Sequence, residues 1–152
     1  MEEKWRIKKL FEDLFNGDPW LDVTLMGTLG SISAEQAARK QAHLPNSIWE
    51  IVQHVTHWRR NVLQRVQGQV IETPADNYFR PVTDSSVANW QRCIAELERS
   101  QEQWLQFLDG MDEADFDRLY PANNTTRYEH IQGIIQHDAY HLGQIVLMAK
   151  HF

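Results

Sequence analysis

Apolar positions recur along this chain at helical spacing, and nowhere do they alternate in the period-two manner of a strand. Residues 3–16 place Ile7, Leu10, Phe11, Leu14 and Phe15 on one stripe. Gly17-Asp18-Pro19 breaks that helix, and a second helical piece is expected over residues 20–29. Ser33-Ala34-Glu35-Gln36 reads as a capping box that opens a short turn. Residues 39–46 read as a polar loop ending in Pro45-Asn46. A second capping box, Ser47-Ile48-Trp49-Glu50, opens a helix that runs to Val66 and stops at Gly68. Residues 68–83 contain Gly68, Pro74 and Pro81 and form a connection longer than a tight bundle turn needs, so they are expected to cross between helices or to cover a pocket. A third long helix is expected over residues 84–108, with Val87, Trp90, Ile94, Leu97, Trp104 and Leu108 near heptad spacing and Gly110 at its end. Residues 111–126 form a second loop, and Thr126-Arg127-Tyr128-Glu129 caps a fourth long helix that runs to Lys150. Four long helices with two long connections predict an all-α protein, a four-helix bundle that is not a simple up-down-up-down series.

Composition narrows the setting. At 152 residues the chain reads as a single domain, 1–152. A domain of this size buries roughly 70% of its unfolded surface and needs neither a metal nor disulfides merely to fold. The single Cys93 excludes an internal disulfide and suits a reducing, cytoplasmic compartment. No apolar run of about 18 residues predicts a membrane span, and Met1-Glu2-Glu3-Lys4-Trp5 does not open a signal peptide. A net charge of −6 argues against nucleic acid as a partner, since that needs a basic footprint. Small molecules are the expected partners. Six tryptophans fit either a bulky bundle core or an aromatic-lined pocket.

The chemistry concentrates in His137-Asp138-Ala139-Tyr140-His141. Four residues turn a helix by about 400°, so the two imidazoles lie roughly 40° apart and about 6 Å along the axis. That spacing suits two nitrogen ligands on one metal ion, although such pairs also arise on ordinary polar helix edges. With His137 set at zero, the apolar residues of the fourth helix span roughly 60° to 180° and His141 falls near about 40°, at the edge of the stripe. On the second helix, with His54 at zero, Ile48 through Val66 span roughly 40° to 180°. His54 thus sits at the same edge in the same rotational sense, while His57 falls about 60° into the polar face. Two core-facing helices bring same-sense edges together only when antiparallel. The second and fourth long helices are therefore expected to be antiparallel neighbours, with His54 opposite His137 and His141. His130 lies about 10.5 Å of rise from His137, too far to share one ion, and is expected at the mouth of the site or facing solvent. His43 and His151 are expected to be bystanders. Asp138 stands where the HExxH zinc-protease motif has its glutamate, so that motif's general base is missing. Asp138 itself falls near about 100°, toward the apolar stripe, where it needs a partner.

Two segments, Pro45-Asn46-Ser47-Ile48-Trp49-Glu50-Ile51-Val52-Gln53-His54 and Gly133-Ile134-Ile135-Gln136-His137-Asp138-Ala139-Tyr140-His141-Leu142-Gly143-Gln144-Ile145, resemble the DinB/YfiT-like superfamily of metal-dependent enzymes. Gly17-Asp18-Pro19-Trp20, Trp90 and Leu97 add to the likeness, which covers nearly the whole chain. The resemblance implies an up-down-down-up four-helix bundle, often dimeric, so a homodimer is an expectation. It implies a metal triad of one histidine from the second helix and two from the fourth, which by position are His54, His137 and His141.

Three neutral imidazoles would leave coordination positions open, an arrangement suited to catalysis rather than to a closed structural site. Imidazole ligation points to Zn or Ni first, with Fe, Mn or Cu as further candidates. Such a site activates water or a small thiol. By resemblance, the activity expected is that of a hydrolase or a thiol S-transferase using a low-molecular-weight thiol. The alternative is a non-enzymatic metal-binding stress-response or scaffold protein. Gln144 lies beside the pair on the wheel and is the candidate for hydrogen-bonding a bound water or substrate. Glu50, one turn before His54, is a candidate outer partner or fourth ligand, though its capping role already explains it. Tyr140 and Trp58 lie near the ligand edges and are candidates for shaping a pocket.

Overall fold

The computed structural model describes residues 2–152. Among the described residues six α-helices follow one another: α1 (Glu3–Asn16), α2 (Leu25–Leu29), α3 (Ala34–Ala38), α4 (Ile48–Val66), α5 (Val87–Asp109) and α6 (Arg127–Ala149). A 3₁₀ turn at Glu113–Asp117 and an isolated bridge between Leu119 and Thr126 interrupt the connection before α6. Among the described residues there is no strand, and no helix is long and apolar enough to cross a membrane. The chain is all-α, and its four long helices are α1, α4, α5 and α6.

Local chemistry sets the helix starts. Ser33, Ser47 and Thr126 each accept from the N–H three residues on, while Gln36, Glu50 and Glu129 reach back to the cap N–H, so all three capping boxes form. The piece expected over residues 20–29 is shorter: only Leu25–Leu29 is helical. Asp22 sits at a φ of 59° and its N–H donates to the Pro19 carbonyl, closing a turn, and the helix begins where Thr24 caps Gly27. Trp20, outside that helix, is 96% exposed. The third long helix likewise begins at Val87, three residues beyond the expected Asp84, because Ser86 is the residue that caps it.

Two apolar clusters stack along the bundle. One joins Leu14 and Phe15 of α1 to Trp49 and Val52 of α4, Leu97 of α5 and Leu142 and Ile145 of α6. The other joins Ile7 and Phe11 to Val62 and Val66, Trp104 and Leu108, and Ile131 and Ile134. The start of α4 thus packs against the end of α6, and the end of α4 against its start, so these two helices run antiparallel. Their pairing is the most extensive in the molecule. Trp49, Trp90 and Trp104 are core residues, Trp58 is at a cleft, and Trp5 and Trp20 reach solvent.

Candidate metal centre

The antiparallel packing of α4 on α6 brings three imidazoles to one point. His54 Nε2 lies 3.0 Å from His137 Nε2 and 3.0 Å from His141 Nε2. His54 and His141 are 3% and 6% exposed, and His137 is half-buried. The three form a group able to hold one metal ion, with a nitrogen from each within 4.8 Å of the others.

The far side of each ring decides which nitrogen faces inward. His54 Nδ1 donates to the Asn77 carbonyl at 2.6 Å, and His141 Nδ1 donates to Gln144 Oε1 at 2.7 Å. Both protons are therefore on Nδ1, and both Nε2 lone pairs point at each other across 3.0 Å. Two lone pairs at that separation repel unless a cation or a proton lies between them. His137 also presents Nε2 to the centre, while its Nδ1 is buried with no hydrogen-bond partner, so no acceptor fixes its tautomer. Burial pushes the His54 imidazole down to about 4, against the Asn77 bond and with help from His141 and His137. His141 is lowered by burial first and by His137 next. Both are neutral near neutral pH, the form that ligates metals. With Zn–N bonds of about 2.0–2.1 Å, nitrogens 3.0 Å apart fit around one ion, so the donor set suits a divalent metal.

Each imidazole also meets an aromatic ring. Phe79 stacks on His54 with centroids 3.9 Å apart and planes 9° apart. Trp58 presents an edge arrangement to His137 at 6.3 Å and Tyr140 one to His141 at 5.0 Å. The group opens onto a cleft of about 1290 Å³. Phe79, Trp58, Ile134 and Leu147 give it apolar wall. Arg39 and Lys40 stand among its lining on the α3–α4 connection, and Glu129 and His130 at the start of α6.

Other candidates fall elsewhere. Gln144 does not point at the centre of the triad: its carbonyl oxygen is spent on His141 and its amide donates to the Tyr140 hydroxyl at 3.2 Å. It thus bonds a histidine and also lines the cleft, where the sequence suggested contact with bound water or substrate. Glu50 accepts from Ser47 N–H at 2.7 Å and pairs with Lys40, so it caps α4 and is not among the grouped ligands. His57 donates to the Gln53 carbonyl and stacks on Tyr78. His130 donates to the Thr126 carbonyl and lines the cleft, but is not among the grouped ligands. Asp138 is 1% exposed and turned inward, onto Arg59. Its second oxygen has no hydrogen-bond partner and lies 3.8 Å from His137 Nδ1. Burial pushes the Cys93 thiol up to about 12, so it stays protonated near neutral pH.

Asn77 and Phe79 were not anticipated. They reach His54 from the connection between α4 and α5, which has no hydrophobic periodicity; only the turn-forming Pro74 and Asp76-Asn77 mark the place.

No curated protein and no solved structure matches the chain. A family model described as the DinB superfamily matches residues 23–145, a span that holds all three histidines and the Asn77 turn. The chain belongs to the DinB superfamily.

Proposed function

We propose that the chain is a metalloenzyme in which His54, His137 and His141 hold one divalent metal, Zn or Ni first among candidates, for hydrolysis or for thiol S-transfer. The supporting observation is the convergence of the Nε2 atoms of His54, His137 and His141 on a cleft roomy enough for a small-molecule substrate. A metal held by three protein ligands supplies Lewis acidity that brings water or a thiol to its reactive deprotonated form near neutral pH.

The chain's own residues do the rest. His54 and His141 arrive with their protons held outward by Asn77 and Gln144, so ligation demands no rearrangement of either ring. Phe79 lies flat on His54 and adds to the burial that keeps that imidazole neutral, and Trp58 meets His137 at the cleft wall. Catalysis by a cysteine nucleophile is disfavoured: Cys93 is partly buried and held protonated, and it does not line the cleft.

The test is a screen of zinc- and nickel-loaded protein against low-molecular-weight thiols with an electrophile, run beside ester and amide substrates. Metal-dependent turnover that disappears in His137→Ala supports the reading. Stoichiometric metal binding with no turnover in any arm would overturn the enzymatic part and favour a non-enzymatic metal binder.

A further inference from the structure

The connection between α4 and α5 contains a tight turn whose backbone is out of keeping with its sequence. Phe79 N–H donates to the Asp76 carbonyl at 2.9 Å, and the two residues between, Asn77 and Tyr78, have φ of 50° and 62°. Two successive left-handed residues are the pattern of a type I′ turn, which favours asparagine and then glycine. Asn77 suits its place. Tyr78 does not, because a bulky L-residue rarely adopts positive φ. Its neighbours hold it there. The ring stacks on His57 at 5.2 Å, the hydroxyl accepts from Asn61 Nδ2 at 3.0 Å, and the backbone N–H donates to Asp76 Oδ1 at 3.0 Å. A conformation opposed by local sterics and fixed by its surroundings marks a place where geometry serves a function.

That geometry is delivered to His54. The Asn77 carbonyl accepts from His54 Nδ1–H at 2.6 Å, while Asn77 Oδ1 accepts from Trp58 Nε1–H at 2.9 Å. Phe79, next after the turn, lies flat on the imidazole. His54 is thus held at one nitrogen and over one face, and only Nε2 is left to meet His137 and His141.

We infer that the Asn77-Tyr78 turn is the positioning element for His54: its left-handed backbone aims the Asn77 carbonyl at Nδ1, which fixes the tautomer and turns the Nε2 lone pair toward His137 and His141. Asn77 is a positioning residue and touches neither metal nor substrate. The inference rests on the metal reading above, and its test separates the two.

In metal-free wild-type protein with ¹⁵N-labelled histidine, the His54 ring resonances report its tautomer; the expected result is a protonated Nδ1 and a bare Nε2. Zinc affinity is then measured by chelator competition for wild type, Asn77→Val and Asn77→Gly. Valine resists positive φ and withdraws the carbonyl, so zinc affinity falls about 10–100-fold, as for other outer partners of metal-bound histidines. Glycine accepts positive φ and keeps the carbonyl, so affinity stays near that of wild type. This rescue would not follow if Asn77 mattered only through its side chain. A wild-type His54 protonated on Nε2 overturns the inference, even if Asn77→Val fails to fold. So does Asn77→Val binding zinc as tightly as wild type. Wild type with the expected tautomer but no zinc affinity overturns the metal reading instead, and leaves the turn fixing a ring that captures no metal.

Discussion

Arg59 on α4 and Asp138 on α6 meet as a buried ion pair, each 1% exposed, one position along α6 from His137. Each guanidinium nitrogen makes a hydrogen bond: the group also donates to Ser100 Oγ at 2.9 Å and to Gln101 on α5, and Gln101 in turn donates to the Phe11 carbonyl of α1 at 3.0 Å. Phe11 and Phe15 flank it at 5.6 Å. One charged network therefore ties the four long helices together directly beneath the histidines. Such a pair is costly to break, because the survivor is left as an uncompensated buried charge.

Arg59→Met and Asp138→Leu are each expected to lower stability by about 3–5 kcal/mol, with the double variant losing far less than the sum of the two. Chemical denaturation of the four members of this cycle measures it. Additive losses would mean that the two residues do not act as a pair.

Gln144 acts on the site through His141. Gln144→Leu removes the acceptor for Nδ1–H and is expected to weaken metal affinity about 10–100-fold while changing the melting temperature little. Gln144→Glu keeps an acceptor there and is expected to retain tighter binding than leucine. Chelator competition on the three proteins is the check; equal affinities for all three would remove Gln144 from the account.

Acid sensitivity has a local source in Glu50. Burial pushes its carboxyl up, but the bonds from Lys40 and from Ser47 outweigh that and leave it below the usual range. A carboxyl depressed in the folded state binds fewer protons there than in the unfolded chain. Its contribution to stability is therefore fully present above the unfolded value of about 4.3 and is lost as pH falls through the lower folded value. Glu50→Gln is expected to be less stable than wild type at neutral pH, by about 1 kcal/mol for the weakened cap, with the gap closing below about pH 4. Denaturant midpoints across that range test the sign; a gap that widens in acid would contradict it.

Much of this arrangement could be read from residue spacing. The three capping boxes are local chemistry and place the helix starts to within a residue. The shared stripe edge selected His54 over His57 and put it against His137 and His141. The same wheel pairs Asp138 with a partner on α4. Arg59 falls about 140° from His54 and Asp138 about 100° from His137, so opposite charges occupy the apolar stripes of neighbouring helices. Only a mutual partner makes that tolerable. The Asn77 and Phe79 contacts were beyond reach, because they depend on where a long connection lands after the bundle forms. The helix expected from residue 20 begins only at Leu25 for a related reason: the turn that Asp22 N–H closes on the Pro19 carbonyl occupies the first part of that segment.

The central claim is that His54, His137 and His141 together bind one divalent ion. Its most direct test is the metal content of purified wild-type protein, by elemental analysis after loading and desalting, against His54→Ala, His137→Ala and His141→Ala, each first shown to be folded. The account predicts one ion per wild-type chain and a substoichiometric, readily lost ion in each variant. Unchanged stoichiometry in His137→Ala, or wild-type protein that retains no metal, would contradict it.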